Sequence, residues 1–136
     1  MSEVILQLSN AINNKQPAVV ATVIAFAGAC PAKVGAQIVL LSDGSTSGTV
    51  GGGKLEASIL VDARASLESR TPAVKHYKLA EEGQDAIGTL CGGEVDVFIQ
   101  PYAPSAQLVI VGGGHIGRPL KTMGEAAGFM VEVVDV

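Results

Sequence analysis

The sequence predicts an α/β fold in which a mixed-sheet domain over residues 1–104 is followed by a βαβ segment over residues 105–136. Helical patterns with apolar residues at i+4 spacing alternate with short strands rich in valine and isoleucine. The stiff segment Pro-Tyr-Ala-Pro-Ser at 101–105 interrupts this pattern and marks a domain boundary. The strand, glycine-rich turn, helix and strand that come after it are typical of a parallel βαβ unit.

The first domain begins with an amphipathic helix that ends before Pro17. Residues 18–27 are apolar without alternation, which predicts a central strand buried on both faces. Residues 36–41 and 47–50 flank an Asp-Gly turn and therefore predict a β-hairpin.

The rest of this domain follows a triple glycine at 51–53. A second helix begins there and ends at Thr71-Pro72. Residues 74–79 predict a strand, residues 81–90 a polar loop, and the strict alternation at 94–99 a further strand.

After the linker, residues 108–111 and 129–136 predict two strands, with a helix from about residue 118 to 127 between them. Parallel strands are stable only when both faces are covered, and two strands cannot cover their own faces. We therefore expect this segment to dock on another chain, as in a homodimer, or on residues 1–104, or to come from a truncated product.

The composition excludes several classes of protein. The chain has 136 residues, of which 48% are hydrophobic and 16% charged, so it is not intrinsically disordered. No basic stripe is present and aromatic residues make up only 4%, which argues against a nucleic-acid partner. Apolar runs fall short of the roughly 20 residues of a membrane span. No secretion leader is recognisable, so we expect a cytoplasmic protein without a membrane partner.

The most specific motif is a G-x-G-x-x-G pattern at Gly112, Gly114 and Gly117, between a strand and a helix. Asp135 lies 18 residues after Gly117, where an acidic residue would accept hydrogen bonds from ribose hydroxyls. The pattern predicts the opening βαβ unit of a Rossmann-like domain and a nucleotide such as NAD(P). The alternative is that these glycines only form a β–α corner and bind nothing.

The triple glycine Gly51, Gly52 and Gly53 precedes a helix and predicts a nest of backbone N–H groups for an anion. Lys54 would add positive charge there, and Glu56 is a candidate carboxylate in the first helical turn. The segment is not a Walker A loop, because leucine follows the lysine. A tight turn without a ligand is the alternative.

Cys91 is followed by Gly92 and Gly93 at the start of a strand, which leaves its sulfur open to approach. A thiolate in this setting suits a soft metal or sulfur transfer. With only Cys30 as a second cysteine, a tetrahedral zinc site cannot be built. A buried, inert thiol is the alternative reading.

Taken together, these segments resemble the XdhC/CoxI family, whose members are accessory factors for molybdenum hydroxylases such as xanthine dehydrogenase. The resemblance lies in Gly-Thr-Val-Gly-Gly-Gly-x-Leu-Glu at 48–56, Cys-Gly-Gly-Glu-Val-x-Val-Phe-Ile-x-Pro at 91–101, and the Ala-Thr-Val and Pro segments within 21–36. Residues 108–117 are similar to the opening strand and loop of the Rossmann-like second half of the family.

The resemblance implies a chaperone rather than an enzyme. Such a protein would bind molybdenum cofactor, protect it during sulfuration by a cysteine desulfurase and deliver it to the hydroxylase apoenzyme. Many relatives have cysteine where this chain has Lys54, and Ser-Pro is common where it has Cys30-Pro31. The alternative is a dinucleotide-binding oxidoreductase or a remnant of one. The candidate cofactor-binding residues are Gly51, Gly52, Gly53, Lys54, Glu56, Cys91 (a possible contact for the metal), Gly92, Gly93, Gly112, Gly114, Gly117 and Asp135.

Overall fold

The computed structural model describes residues 2–88 and 92–135. The chain divides into two compact units, Met1–Ala103 and Pro104–Val136. The α/β fold expected from the sequence is confirmed: the first unit holds a five-stranded sheet with two helices, and the second holds two strands and one helix.

The first unit has a sheet whose spatial order is β3-β2-β1-β5-β4, and each neighbouring pair is antiparallel. The strand at 18–27 is therefore central, as the sequence predicts. The elements of this unit, in chain order, are α1 (Glu3–Asn13), β1 (Ala18–Ala27), β2 (Gln37–Leu41), β3 (Thr46–Gly48), α2 (Gly53–Ser69), β4 (Ala73–Lys78) and β5 (Glu94–Tyr102).

The core lies on both faces of this sheet. On one face, α2 packs its buried side chains against alternate residues of β1, β2 and β5. On the other face, α1 packs over β1, β2 and β3. The apolar side chains of α2 recur about every 3.6 residues and those of the strands every second residue, so each set lies on one face. The two faces pack together as one apolar layer. The main members of the larger cluster are Val19, Val23, Leu40, Ile59, Leu79, Val95, Val97 and Ile99.

Burial along the whole of β1 was expected, and that expectation is wrong beyond Val23. Ile24 and Phe26 are 45% and 46% exposed. Val23 pairs with Val97 but Ala25 pairs with Asp96, so Ile24 is an extra residue in β1. Such a β-bulge bends the strand and changes the direction of the side chains that follow it.

The linker expected at 101–105 begins later than predicted, because β5 continues to Tyr102. Pro101 pairs with Val19 of β1. A proline is tolerated there because the pairing with β4 ends at Ile99, so that β5 has an open edge beyond this point.

The second unit consists of β6 (Gln107–Val111), α3 (Gly117–Ala126) and β7 (Met130–Val134), with β6 and β7 parallel. Gly124 lets α3 approach the strands: a Cβ there would lie 2.8 Å from Leu108 and 3.0 Å from Val131. Val111 is 70% and Ile116 81% exposed. Over residues 2–88 and 92–135, no helix has both the length and the apolar character needed to cross a bilayer.

Candidate functional site

Three glycine-rich turns lie at the same end of the five-stranded sheet. β1 and β3 both end there, since each is antiparallel to β2. β5 begins there, since it is antiparallel to β1. The turn after β1 at Gly28, the loop at 51–53 that leads into α2, and the glycines at 92–93 before β5 therefore meet by topology alone.

Close backbone contacts join these turns. A Cβ on Gly28 would lie 3.3 Å from the carbonyl oxygen of Gly92, and a Cβ on Gly93 would collide with the carbonyl oxygen of Ala29. A Cβ on Gly51 would lie 3.3 Å from the ring of Pro31. The turn at 28–32 thus lies between the other two, in contacts that are tight for a Cβ at Gly28 and Gly51 and exclude one at Gly93.

Lys54 adds a fourth segment to this group. Its Nζ donates a hydrogen bond of 2.7 Å to the carbonyl oxygen of Gly88. Because a carbonyl is neutral, the positive charge of Lys54 is not cancelled by this contact. We call residues 28–32, 51–54, 88 and 92–93 the glycine cluster.

Glu56 organises the loop before α2 through its own carboxylate. Oε1 accepts a hydrogen bond of 2.6 Å from the Thr49 hydroxyl and one of 3.1 Å from the amide of Val50. The same hydroxyl accepts from the amide of Gly51 at 3.2 Å. Glu56 was proposed from the sequence as a cofactor contact, and the structure gives it this structural role in addition.

The amide donors of the cluster come from the start of α2. Gly51, Gly52 and Gly53 have φ of 122°, 73° and 60°, which disfavours any other residue type. The nest of N–H groups expected from the sequence at these glycines stays a prediction. In the described part of the chain, the amides of Gly53 and Lys54 have no hydrogen-bond acceptor. They remain available to a ligand at the positive end of the helix.

Of the two cysteines, Cys30 lies within the described residues. Cys30 is half-buried, packs at the edge of the core, and its Sγ accepts a hydrogen bond of 3.4 Å from the amide of Ala32. It is therefore part of the glycine cluster. Cys91 lies outside the described residues, between Gly88 and Gly92, which both belong to the cluster. Within residues 2–88 and 92–135, no three His, Cys, Asp or Glu side chains are grouped to hold a metal ion.

The second unit contains the G-x-G-x-x-G loop, which lies between β6 and α3. Gly112 has φ of 103° and its amide donates to the carbonyl of Val134 at 2.7 Å. A Cβ on Gly117 would collide with the carbonyl oxygen of Gly112, whereas Gly114 faces open space. The amide of Gly113 donates to Oδ1 of Asp135 at 3.5 Å.

A cavity of about 630 Å³ adjoins this loop and is lined by β6, the loop glycines and the start of α3. Gly112, Gly114 and Gly117 line it, together with His115 and Leu120. Asp135, whose contact with a ribose stays a prediction, accepts the hydrogen bond of the Gly113 amide at the other side of the loop.

Sequence reasoning missed contacts that depend on long-range pairing. Gly28 and Gly88 belong to the glycine cluster but stand in turns with no recognisable motif. His76 Nδ1 lies 2.5 Å from Asp96 Oδ1, and Nε2 lies 3.7 Å from Glu94 Oε2, on the face of the sheet away from α2. Only the β4–β5 register, in which His76 faces Asp96, reveals this pair.

Comparison with known proteins identifies the family. The sequence model described as the XdhC and CoxI family matches residues 11–78, which is half of the chain. The chain belongs to the XdhC and CoxI family. The matched span holds β1, the triple glycine and most of the first unit's elements, up to the end of β4.

Two similar proteins give the wider context. The chain is 33% identical over 120 residues to the uncharacterized protein YqeB of Escherichia coli (strain K12), covering 88% of this chain and 22% of that protein. It therefore spans about a fifth of the length of this relative. A crystal structure described as a xanthine dehydrogenase from Bacillus halodurans has a TM-score of 0.58 at 20% identity, over 98% of this chain and 62% of that one. This likeness establishes the fold.

Proposed function

We propose that this chain acts in the maturation of a molybdenum hydroxylase of the xanthine dehydrogenase type, and that the glycine cluster holds molybdenum cofactor as cargo. Membership of the XdhC and CoxI family supports the maturation role. The solved structure with the same fold is itself described as a xanthine dehydrogenase. The observation that carries the cofactor assignment is the convergence of four segments, three of them glycine-rich, at one end of the sheet.

The donors of the cluster suit the phosphate of the cofactor. The amides of Gly53 and Lys54 lack acceptors among the described residues and lie at the N-terminus of the 17-residue helix α2. Helix N-termini bind phosphate because unpaired N–H groups and the helix dipole both favour a negative charge. The ammonium group of Lys54 adds a full positive charge beside them.

The thiols suit the metal–sulfur end of the cofactor. Cys30 belongs to the cluster through the turn at 28–32. Cys91 stands next to Gly92, which approaches Gly28. Molybdenum bound to sulfur is a soft centre, and soft centres accept thiolate neighbours. In this proposal the chain holds the cofactor while a cysteine desulfurase supplies sulfur, and then passes it to the apoenzyme.

The binding step can be tested by anaerobic titration of the full chain with molybdenum cofactor, with bound pterin measured after gel filtration. We expect Lys54→Gln to weaken binding by about tenfold or more, because it removes a charged hydrogen-bond donor. Cys30→Ser and Cys91→Ser should each release the cofactor faster. Arg118→Gln, in the second unit, is the matched control. Equal binding by all five proteins would contradict the assignment of the cluster.

The maturation step has a separate test with the apoenzyme. Xanthine dehydrogenase lacking its cofactor is mixed with free or chain-bound cofactor, with and without a cysteine desulfurase, and its activity is followed. We expect chain-bound cofactor to give more active enzyme than free cofactor, and most when the desulfurase is present. Equal activity from free and bound cofactor would contradict a role in delivery.

A second candidate function is dinucleotide binding in the second unit, as in an oxidoreductase or a remnant of one. The cavity of about 630 Å³ beside Gly112 and Gly114 favours it, since its size is typical of small-molecule sites. Thermal denaturation with NAD, NADP and nucleoside triphosphates tests it, because a ligand bound to the folded state raises Tm. A rise with NAD or NADP alone would support it, and no rise with any of them would contradict it.

A further inference from the structure

A cavity of the first unit lies at the end of the sheet opposite the glycine cluster. Its volume is about 370 Å³, within the range of small-molecule sites. The last turns of α2 form one wall through Arg64, Leu67 and Arg70. Leu41 and Ser42 of the β2–β3 hairpin form the other. We call this cavity the arginine cleft. Since α2 begins at Gly53 and rises about 1.5 Å per residue, Arg64 lies roughly 17 Å along the helix from the glycine cluster.

Two exposed arginines line this cleft without a carboxylate partner. Over residues 2–88 and 92–135, neither Arg64 nor Arg70 lies within 4.0 Å of an acidic group. Glu68 also lines the cleft, so its net charge is positive by one. Guanidinium groups bind phosphate or carboxylate through paired N–H donors, and two of them together suit a doubly charged anion.

The backbone at Arg70 supports a role beyond structure. Arg70 ends α2 in the left-handed region, with φ 56° and ψ 27°. Glycine or asparagine is usual at such a position, because a side chain with a Cβ costs about 1 kcal/mol or more there. An arginine in this conformation is thus unfavourable for the helix end, yet the residue at this position lines the cleft.

We propose that the arginine cleft binds a small organic anion that carries a phosphate or carboxylate group on an apolar body. Arg64 and Arg70 would bind the charged group. Leu41, Leu67 and Pro17 would contact the apolar part. The site is separate from the glycine cluster and does not depend on what that cluster holds.

The test uses the full chain labelled with ¹⁵N and phenyl phosphate as the probe. We expect its addition to shift the amide signals of residues 42–45 and 64–70. Arg64→Gln should weaken binding by about tenfold or more, since each charged hydrogen bond contributes strongly. Glu68→Gln should tighten binding by removing a negative charge. Arg118→Gln, outside the cleft, should leave the affinity unchanged.

The variant Arg70→Gly tests whether a loss of affinity can occur without a loss of stability. Glycine adopts the left-handed conformation without strain, so this variant should unfold at a Tm equal to or above that of the wild type while losing affinity for phenyl phosphate. Two parallel titrations test whether the cleft requires the charged group and the apolar part of the ligand. Benzyl alcohol, which is neutral, should not bind, and inorganic phosphate should bind more weakly than phenyl phosphate.

Three results would overturn the proposal. The first is an absence of shifts at residues 42–45 and 64–70 with phenyl phosphate. The second is equal affinity of the wild type, Arg64→Gln and Arg70→Gly, which would leave the arginines only the role of complementing the helix dipole. The third is equal affinity for phenyl phosphate and inorganic phosphate, which would remove the apolar part of the site.

Discussion

Glu56 shows how one side chain holds the loop on which the glycine cluster depends. Its Oε1 accepts from the Thr49 hydroxyl and from the amide of Val50, which is fully buried. Glu56→Ala should lower the free energy of unfolding by about 1–3 kcal/mol, because it leaves a buried amide without an acceptor. Urea denaturation followed by tyrosine fluorescence measures this in the first unit, since both tyrosines lie there.

The control is Glu81→Ala, at an exposed position in the loop after β4. We expect it to change the unfolding free energy by less than about 0.5 kcal/mol. If the two alanine variants were equally stable, the hydrogen bonds of Glu56 would not support the loop as described.

Tyr77 makes the stability of the first unit depend on pH. Burial raises the pKa of Tyr77 well above its ordinary value of 10.0, and the hydrogen bond that its hydroxyl donates to Asp62 at 2.5 Å adds to the shift. The neutral phenol is therefore the form that folding favours. Its contribution to stability is complete below pH 10 and is lost as the pH rises towards the pKa of the folded state.

This effect can be isolated in the Tyr102→Phe variant, in which Tyr77 is the remaining tyrosine of the chain. Absorbance of tyrosinate at about 295 nm should appear only well above pH 10 and together with unfolding. Tyr77→Phe should remove this part of the alkaline loss of stability. Ionisation of Tyr77 near pH 10 in a folded chain would contradict the burial and the Asp62 contact.

At the scale of an element, the loop between β6 and α3 distinguishes two glycines of one motif. A Cβ on Gly117 would collide with the carbonyl oxygen of Gly112, whereas one on Gly114 would meet nothing within 4 Å. Gly117→Ala should force α3 away from β6 and lower the stability of this unit by about 1–3 kcal/mol. Gly114→Ala should be close to neutral.

Hydrogen exchange of the β6 and β7 amides measures this difference, because it reports on the second unit alone. Faster exchange in Gly117→Ala than in Gly114→Ala is expected. The same exchange rates in both variants would show that the close contact of Gly117 does not fix the position of α3.

The elements themselves follow from local patterns, whereas their exact ends and irregularities do not. The i+4 apolar spacing of α2 and the alternation in β5 could be recognised because each is set by neighbouring residues. The bulge at Ile24 and the continuation of β5 through Pro101 depend on which strand lies alongside. That information is not local, so the sequence alone could not supply it.

The candidate site was predictable to the same extent. The triple glycine at 51–53 could be recognised because consecutive glycines before a helix indicate a loop with positive φ angles, and the structure has positive φ at all three. The approach of Gly28 to Gly92, and of Lys54 to Gly88, joins residues more than thirty positions apart. Nothing in the composition of those turns indicates which of them meet, since strand order decides it.

At the scale of the whole molecule, the second unit leaves much apolar surface exposed. Val109 and Val111 of β6 are 54% and 70% exposed, and Ile116 and Met123 are 81% and 67% exposed. Such surfaces mark association sites in soluble proteins. We predict that the chain forms a homodimer through this unit, which sedimentation at micromolar concentration can measure.

The matched variants place a charge on two valines of similar exposure, 70% for Val111 and 65% for Val61. Val111→Lys should shift the chain towards monomer, because a buried lysine in an apolar interface is unfavourable. Val61→Lys, at a residue of α2 that is 65% exposed, should not. A wild-type chain that sediments as a monomer, or a dimer unaffected by Val111→Lys, would contradict this prediction.

The extra residue of β1 sets which side chain stands over Val95 beside the glycine cluster. Because Ile24 is inserted, Phe26 rather than Ala25 is the partner of Val95. An aromatic ring that is 46% exposed therefore lies on the α2 side of the sheet, two positions before Gly28. If the intact strand paired without the bulge, Ala25 would face Val95 and a methyl group would take the place of the ring. The bulge thus gives the edge of the glycine cluster an exposed aromatic surface, against which a flat heterocycle could stack, without any change in the glycines.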